Sequence, residues 1–243
     1  MTKRSVAIIP SRYGSTRLPG KPLRKIAGKT LINHIYNNIR NSKLFEDVIV
    51  VTDDERISDE VKSFSGIVKI SQKQYNSGSD RIAEIAQDIN AELFVNVQGD
   101  ELFISKYALQ SLLSCFEDKN IQVATLAHEL TNNEDIENPN RVKVICDQDG
   151  DALYFSRSVI PYKRGDENYT YLGHIGVYAF RKEALIRFSK LKQSTLEKVE
   201  KLEQLRLLEN NVKIRVNVID YKGFGIDTEE DLSKAEKLLK NIS

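Results

Sequence analysis

An α/β fold with a mostly parallel central sheet, flanking helices and a small β-hairpin lobe is the class this sequence predicts. Three observations carry that reading. Apolar runs open at 6–9 (VAII), 47–55 (DVIVVTDDE) and 92–101 (ELFVNVQGDE), and they are continuous, not alternating. Strands covered on both faces of a parallel sheet read that way. Between the runs, apolar residues recur at helical spacing: Leu31, Ile32, Ile35 and Ile39; Ile57, Val61 and Phe64; Ile82, Ile85, Ala86 and Ile89. Finally, VKVICDQDGDALYFSR sets two apolar arms, 142–146 and 152–156, around a turn at 147–150, which is a hairpin leaving the parallel core.

The remaining elements follow in order. A short strand is expected at 66–70. A helix carries Ala108, Leu109, Leu112, Leu113 and Phe116, and a strand covers 122–128. A polar connection spans 134–140, and 163–170 is again polar. TYLGHIGVYAFR is a strand with Ile175, Val177 and Ala179 on one face and His174, Gly176, Tyr178 and Phe180 on the other. Leu196, Val199, Leu202, Leu205 and Leu208 mark a helix over 196–208, its stripe serving as core or interface. A strand at 213–218 precedes a last helix, with Thr228 and Asp231 at capping-box distance.

The 243 residues suit one domain, 1–243, with an inserted lobe at about 140–212. Hydrophobic content of 40% and charged content of 29% are those of a soluble globular protein. Lys+Arg 36 against Asp+Glu 35 leaves +1, which gives no field for wholesale nucleic-acid binding. Cys115 and Cys146 have neither zinc-site nor redox-pair spacing, so a reducing cytoplasm is expected. The start, MTKRSVAII, lacks a signal-peptide apolar region, and no run is long enough to span a bilayer.

The chemistry concentrates after the first strand. Residues 8–23, IIPSRYGSTRLPGKPL, form a loop of small residues carrying Arg12, Arg17 and Lys21. Strand, small-residue cationic loop, helix is how α/β proteins hold a phosphate chain. Walker A spacing is absent: five residues separate Gly14 from Gly20-Lys21, Pro22 stands where a hydroxyl is needed, and Gly28-Lys29-Thr30 has Leu23 where a glycine is required. GxGxxG is absent too. Asp53 and Asp54 read either as a metal-binding pair or, more strongly, as acids complementing the dipole at the start of a helix. Ser77, Gly78, Ser79 and Asp80 turn into a helix whose first turn holds Arg81, poorly placed for the dipole and so suggestive of a ligand. Asp100 falls just past the end of a buried strand, where open α/β sheets bind ligands.

Six ordered segments then fit one family: RYGSTRLPGKPL, SGSDR, VNVQGDE, YFSR, HIGVYAFR with LEQLR, and GIDT. Over about 6–232 the chain resembles the 3-deoxy-manno-octulosonate cytidylyltransferase (CMP-Kdo synthetase) family of nucleotide-sugar transferases. The resemblance implies a Rossmann-like nucleotide-diphospho-sugar transferase fold whose lobe serves sugar binding and dimerisation. It implies CTP and 3-deoxy-D-manno-octulosonate (Kdo) giving CMP-Kdo and pyrophosphate, in a bacterium making lipopolysaccharide or a plant making the same sugar for its wall, with the lack of a targeting segment favouring the bacterium and its cytoplasm. Arg12, Lys21, Asp100 and Asp227 would be catalytic. Arg12, Gly14, Ser15, Lys21, Arg81 and Gln98 would bind the nucleotide. Arg17, Arg157, His174, Tyr178, Glu203 and Gln204 would bind the sugar, with Arg17 also among the cations on the triphosphate. Asp100 and Asp227 would hold Mg²⁺. The partners implied are CTP and an acidic 3-deoxy sugar, with no nucleic acid and no membrane, in a homodimer. One departure is Leu102, where the family usually has Pro. Two rivals stay open: the same chemistry on 8-amino-3,8-dideoxy-octulosonate or another acidic sugar such as a neuraminate, and a degenerate CTP-binding protein. The second would be marked by loss of Lys21, Asp100 or Asp227, and all three are present.

Overall fold

A computed structural model describes residues 4–14, 17–71 and 78–242. Its contacts divide the chain into two compact units, Met1–Leu109 with Lys222–Ser243, and Gln110–Tyr221. The first unit opens with β1 (Ser5–Ser11), the short arms β2 (Lys25–Ile26) and β3 (Lys29–Thr30), and α1 (Leu31–Ser42). It continues through β4 (Asp47–Thr52), α2 (Glu55–Ser63), β5 (Ile67–Ile70), α3 (Gly78–Ala86) and β6 (Leu93–Val97). β1 pairs in parallel with β4 on one side and β6 on the other, and β4 with β5. The continuous apolar runs are therefore buried strands: no residue from Val6 to Ile9 is more than 1% exposed. Asp100 lies three residues past β6, at the carboxyl end of this parallel array.

Local signals set the helix starts. Thr30 caps α1, its Oγ1 accepting from the Asn33 N–H at 3.3 Å. The buried face of α1 carries Leu31, Ile32, Ile35, Tyr36 and Ile39, and each such side chain stabilises the fold by about 1.5–3 kcal/mol. Ala27 and Gly28 both have positive φ, 47° and 83°, the two-residue turn that joins β2 to β3. Gly28 thus makes a hairpin, not a phosphate loop. Asp54 caps α2 by accepting from the Arg56 N–H at 3.0 Å. Asp53 does not share that role; its carboxylate accepts from Arg81 at 2.6 Å. The helix expected after 77–80 is α3; Ser77 lies outside the described residues.

α4 (Lys106–Ser114) spans the unit boundary, and a 3₁₀ turn at Cys115–Glu117 buries Phe116. The second unit holds β7 (Val123–Leu130), α5 (Asn133–Glu137), β8 (Lys143–Cys146), β9 (Ala152–Ser156) and β10 (Tyr171–Arg181). It closes with α6 (Lys182–Lys190), α7 (Thr195–Glu200), α8 (Leu205–Glu209) and β11 (Arg215–Val218). β7 lies parallel to β11 and antiparallel to β10; β8 extends from β10, and β9 from β8, as the expected hairpin. Two expectations are corrected and one element is added. The polar connection at 134–140 contains α5, capped by Asn132. A helix unforeseen in the sequence, α6, buries Leu185 and Phe188. The single helix over 196–208 is two, α7 and α8, broken at Lys201 in the left-handed region (φ 55°). Its three-residue stripe splits accordingly: Val199 is 74% exposed while Leu202 and Leu205 are buried.

The chain then returns to the first unit as α9 (Glu229–Ile242). Thr228 and Asp231 form the expected reciprocal cap: the Asp231 N–H donates to Thr228 Oγ1 at 3.2 Å and the Thr228 N–H to Asp231 Oδ2 at 2.9 Å. No helix among the described residues is long and apolar enough to cross a membrane.

Candidate active site

In the first unit, fold alone brings four predicted residues together. Lys21 Nζ donates to Asp100 Oδ2 at 3.0 Å and to Asp227 Oδ1 at 3.1 Å. Arg17 Nη2 pairs with the other Asp227 oxygen at 3.0 Å. Gly20, at φ 65°, begins the tight turn Lys21–Leu23 that aims the lysine inward. Burial works against the Lys21 charge, but Asp100 and then Asp227 outweigh it and hold the ammonium above its ordinary pKa. It stays charged beside the Arg17 guanidinium.

The rest of the loop is braced from outside. A Cβ on Gly20 would lie 3.2 Å from the Tyr13 ring, and the Arg56 guanidinium sits 3.4 Å from the centroid of that ring. Arg56 is in turn held by both oxygens of Asp54, at 2.9 and 2.7 Å. Arg12 and Gly14 are exposed on the loop, and Ser15 lies outside the described residues. Gln98 is half-buried, its carbonyl accepting from the Glu101 N–H at 3.1 Å. Arg81 is buried and already partnered, donating to the Ser11 carbonyl at 3.2 Å and to Asp53. Its unfavourable place in the first helical turn is thus explained by an ion pair within the protein.

Asp100 and Asp227 are the donor set to weigh for a divalent cation. Among the described residues no group of three or more His, Cys, Asp or Glu side chains could hold a metal. Two half-exposed carboxylates fit Mg²⁺ well all the same. It is a hard ion that keeps waters and is typically bound by one or two carboxylates plus substrate phosphates.

The residues predicted for the sugar, Arg17 apart, lie in the second unit. β10 carries an irregularity between Ile175 and Tyr178 that sets Tyr178 opposite Thr125 of β7. The Thr125 hydroxyl donates to the Val177 carbonyl at 2.8 Å and lies 3.0 Å from His174 Nε2. With the Thr125 hydrogen placed on the Val177 carbonyl, Thr125 accepts from His174, which assigns the imidazole proton to Nε2. The His174 ring packs against Phe155 and Tyr178, with centroids 5.1 and 5.2 Å apart. Burial, with His128 adding to it, pushes the imidazole down to about 3, so it is neutral. The Tyr178 hydroxyl is buried, with Thr125 beside it and no well-formed hydrogen bond. Burial, then the Glu203 charge, raises its pKa well above 10. Gln204 is buried nearby in sequence, just ahead of α8.

Arg157 ends the hairpin's second arm and is held rigidly. Its Nε donates to the Glu200 carbonyl at 2.8 Å and Nη1 to the Pro139 carbonyl at 3.0 Å. The Glu200 carboxylate accepts from the Arg157 N–H and from Ser156 Oγ. Lys143, fully buried, donates to three carbonyls, among them that of Arg157 at 2.8 Å. Sequence reasoning passed over Thr125, Lys143 and Glu200. A buried lysine inside the apolar arm VKVIC was the one available signal. Arg206 of the LEQLR segment turns out structural: it is buried against Glu197 through two bonds of 2.8 and 2.6 Å.

The comparisons with known proteins converge on this architecture. The sequence matches the family described as Cytidylyltransferase over residues 6–214. A 3-deoxy-manno-octulosonate cytidylyltransferase of Flavobacterium johnsoniae is 48% identical over 241 residues, 98% of this chain and 99% of its own. One from Fusobacterium nucleatum is 44% identical over 237 residues, 97% of this chain and 96% of its own. A solved structure of a CMP:2-keto-3-deoxy-manno-octonic acid synthetase complexed with CTP aligns with a TM-score of 0.93 at 40% identity, covering 99% of this chain and 100% of that one. A 4-diphosphocytidyl-2C-methyl-D-erythritol synthase of Anaerococcus prevotii, at TM-score 0.65 and 16% identity, shares the fold. The chain belongs to the 3-deoxy-manno-octulosonate cytidylyltransferase family.

Proposed function

We propose that the protein transfers the cytidylyl group of CTP to the C2 hydroxyl of 3-deoxy-D-manno-octulosonate, giving CMP-Kdo and pyrophosphate. The work would be done by a cytoplasmic homodimer supplying lipopolysaccharide synthesis. The observation that carries the reading is the Lys21–Asp100–Asp227 cluster: one ammonium within 3.1 Å of two carboxylates, on a parallel α/β array. A degenerate CTP-binding relative would not be expected to keep it.

The C2 oxygen attacks the α-phosphorus, the bond from that phosphorus to the bridging oxygen breaks, and pyrophosphate leaves with the electron pair. Negative charge grows on the leaving group, and Lys21 with Arg17 and Arg12 answer it. Asp100 and Asp227 would hold Mg²⁺, which when bound withdraws charge from phosphate oxygens and eases loss of the hydroxyl proton.

The acidic sugar falls to the second unit. A guanidinium has five N–H donors, and two of those of Arg157 are spent on carbonyls. The rest face a carboxylate without loss of orientation, because the group is already fixed. His174 Nδ1 would accept from a sugar hydroxyl, and the Tyr178 hydroxyl would make a further polar contact. Glu203 and Gln204 would add contacts to other hydroxyls.

The test is pyrophosphate release from CTP with Mg²⁺, comparing Kdo, its 8-amino analogue, N-acetylneuraminate and no sugar. Release with Kdo alone, abolished by chelator, is expected. Release with the 8-amino sugar in preference would reassign the substrate, and CTP binding with no release on any acid would overturn the enzymatic reading.

A further inference from the structure

The two carboxylates of the first unit come from segments far apart in sequence, yet these segments are closed on each other by more than Lys21. The Ile226 N–H, one residue before Asp227, donates to the backbone carbonyl of Asp100 at 3.1 Å. The Leu102 N–H donates to the same carbonyl at 3.0 Å, so that oxygen uses both lone pairs. Beyond this junction the Phe103 and Phe224 rings meet with centroids 5.2 Å apart, tilted by 43°. The chain at Gly225, between Phe224 and Ile226, passes so near that a Cβ there would lie 4.0 Å from the Asp100 carboxylate carbon. The far end of the first segment is tied down too: Asn38 of α1 donates to the Leu102 carbonyl at 3.3 Å and to that of Ile104 at 2.7 Å.

We infer that Phe103 and Phe224 are positioning residues, an aromatic clasp that fixes the separation of the Asp100 and Asp227 carboxylates and so the affinity of the pair for a divalent cation. The inference rests on the reading of that pair as the metal-holding one. Two acids repel when brought together, and Lys21 offsets that repulsion only while its ammonium stays on them. Once a nucleotide's phosphates draw Lys21 and Arg17 toward themselves, the carboxylates must be held near each other by something uncharged. The ring contact and the Ile226 bond do this with groups that neither phosphate nor metal competes for. Both rings are half-buried, so truncation removes the clasp without opening a sealed core.

The experiment is uptake of Mn²⁺ by the full-length protein in the presence of CTP, read from the loss of the free-ion EPR signal. It is run on wild type, Phe224→Ala, Phe103→Ala, the double variant and Phe224→Leu. CTP affinity without metal is measured alongside by calorimetry. Each alanine variant is expected to bind Mn²⁺ roughly tenfold more weakly, the scale seen when groups that orient metal ligands are lost. The double variant should be no weaker than either single one, since one contact is being removed. Phe224→Leu should recover most of the loss, and metal-free CTP affinity should hold within about twofold in all of them. Mn²⁺ affinity unchanged in both alanine variants would overturn the clasp while leaving the metal pair standing. Equal loss of metal-free CTP binding would overturn it as well, by showing a general loosening of the unit. Wild type taking up no Mn²⁺ with CTP would overturn the metal pair itself, and the clasp with it.

Discussion

The charged cluster of the first unit and the aromatic cluster of the second solve opposite electrostatic problems. Lys21, partly open to solvent, keeps its ammonium against burial because the Asp100 and Asp227 carboxylates stand within 3.1 Å of it. Around His174 and Tyr178 burial does the opposite, keeping an imidazole and a phenol neutral. A polyanionic triphosphate calls for the first arrangement. Selecting a polyhydroxylated acid calls for neutral donors and acceptors of fixed orientation, with one rigid cation, Arg157. The difference teaches that partner charges set protonation in one region and desolvation sets it in the other, so the two should fail differently.

The largest effect should come from Lys21→Met. It keeps the stem, removes the charge and leaves Asp100 and Asp227 facing each other. Loss of one donor to developing charge typically costs about 10²–10³-fold, and kcat/KM for pyrophosphate release should fall by that much. A fall of less than tenfold would mean that Lys21 is only a structural bridge between the two acids. Next comes Arg157→Lys, which keeps the charge and loses the planar fork. The KM for the sugar should rise by roughly 10- to 100-fold, with the KM for CTP unmoved. If CTP were affected equally, the division of labour between the regions would be wrong.

How far the sequence foretold these regions follows the range of the interactions. Thr30 and the Thr228–Asp231 pair cap their helices as read, because a cap is settled within four residues. α6 was legible in principle, with Glu183 in its first turn, Arg187 and Lys190 in its last, and Leu185 and Phe188 three apart. The break at Lys201 was not legible, since no Gly or Pro marks it. It accompanies Arg206 folding back onto Glu197, a buried pair that periodicity does not register. The Asp53 partner of Arg81 was hidden for the same reason, since it belongs to another strand end. Residue types and the family resemblance named the acids of the cluster, but only the topology joins Asp100 to Asp227. Thr125 and Glu200, which orient His174 and Arg157, had no local signal at all.

The smallest expected effect sharpens the contrast most, because it reads desolvation directly. His174 is held at about 3 in the folded protein, far below the ordinary imidazole value near 6.5. Above that ordinary value neither state is protonated and the group costs nothing. As pH falls below it, the unfolded chain takes up a proton that the folded chain refuses, so stability declines progressively until pH nears 3. Between pH 6.5 and 5 the loss should be about 2 kcal/mol. The carboxylates with lowered values, Asp54 and Asp151, lie outside this window, since both titrate below the ordinary aspartate value. His128, also lowered by burial, contributes within it, so the measurement is a difference. Urea unfolding of wild type and His174→Gln at pH 7 and pH 5 supplies that difference. The glutamine amide can still donate to Thr125, and the variant should lose less stability on acidification than wild type while His128 acts equally in both. Parallel losses would mean that the ring is solvated enough to protonate in place, and that the second region, like the first, depends on charge.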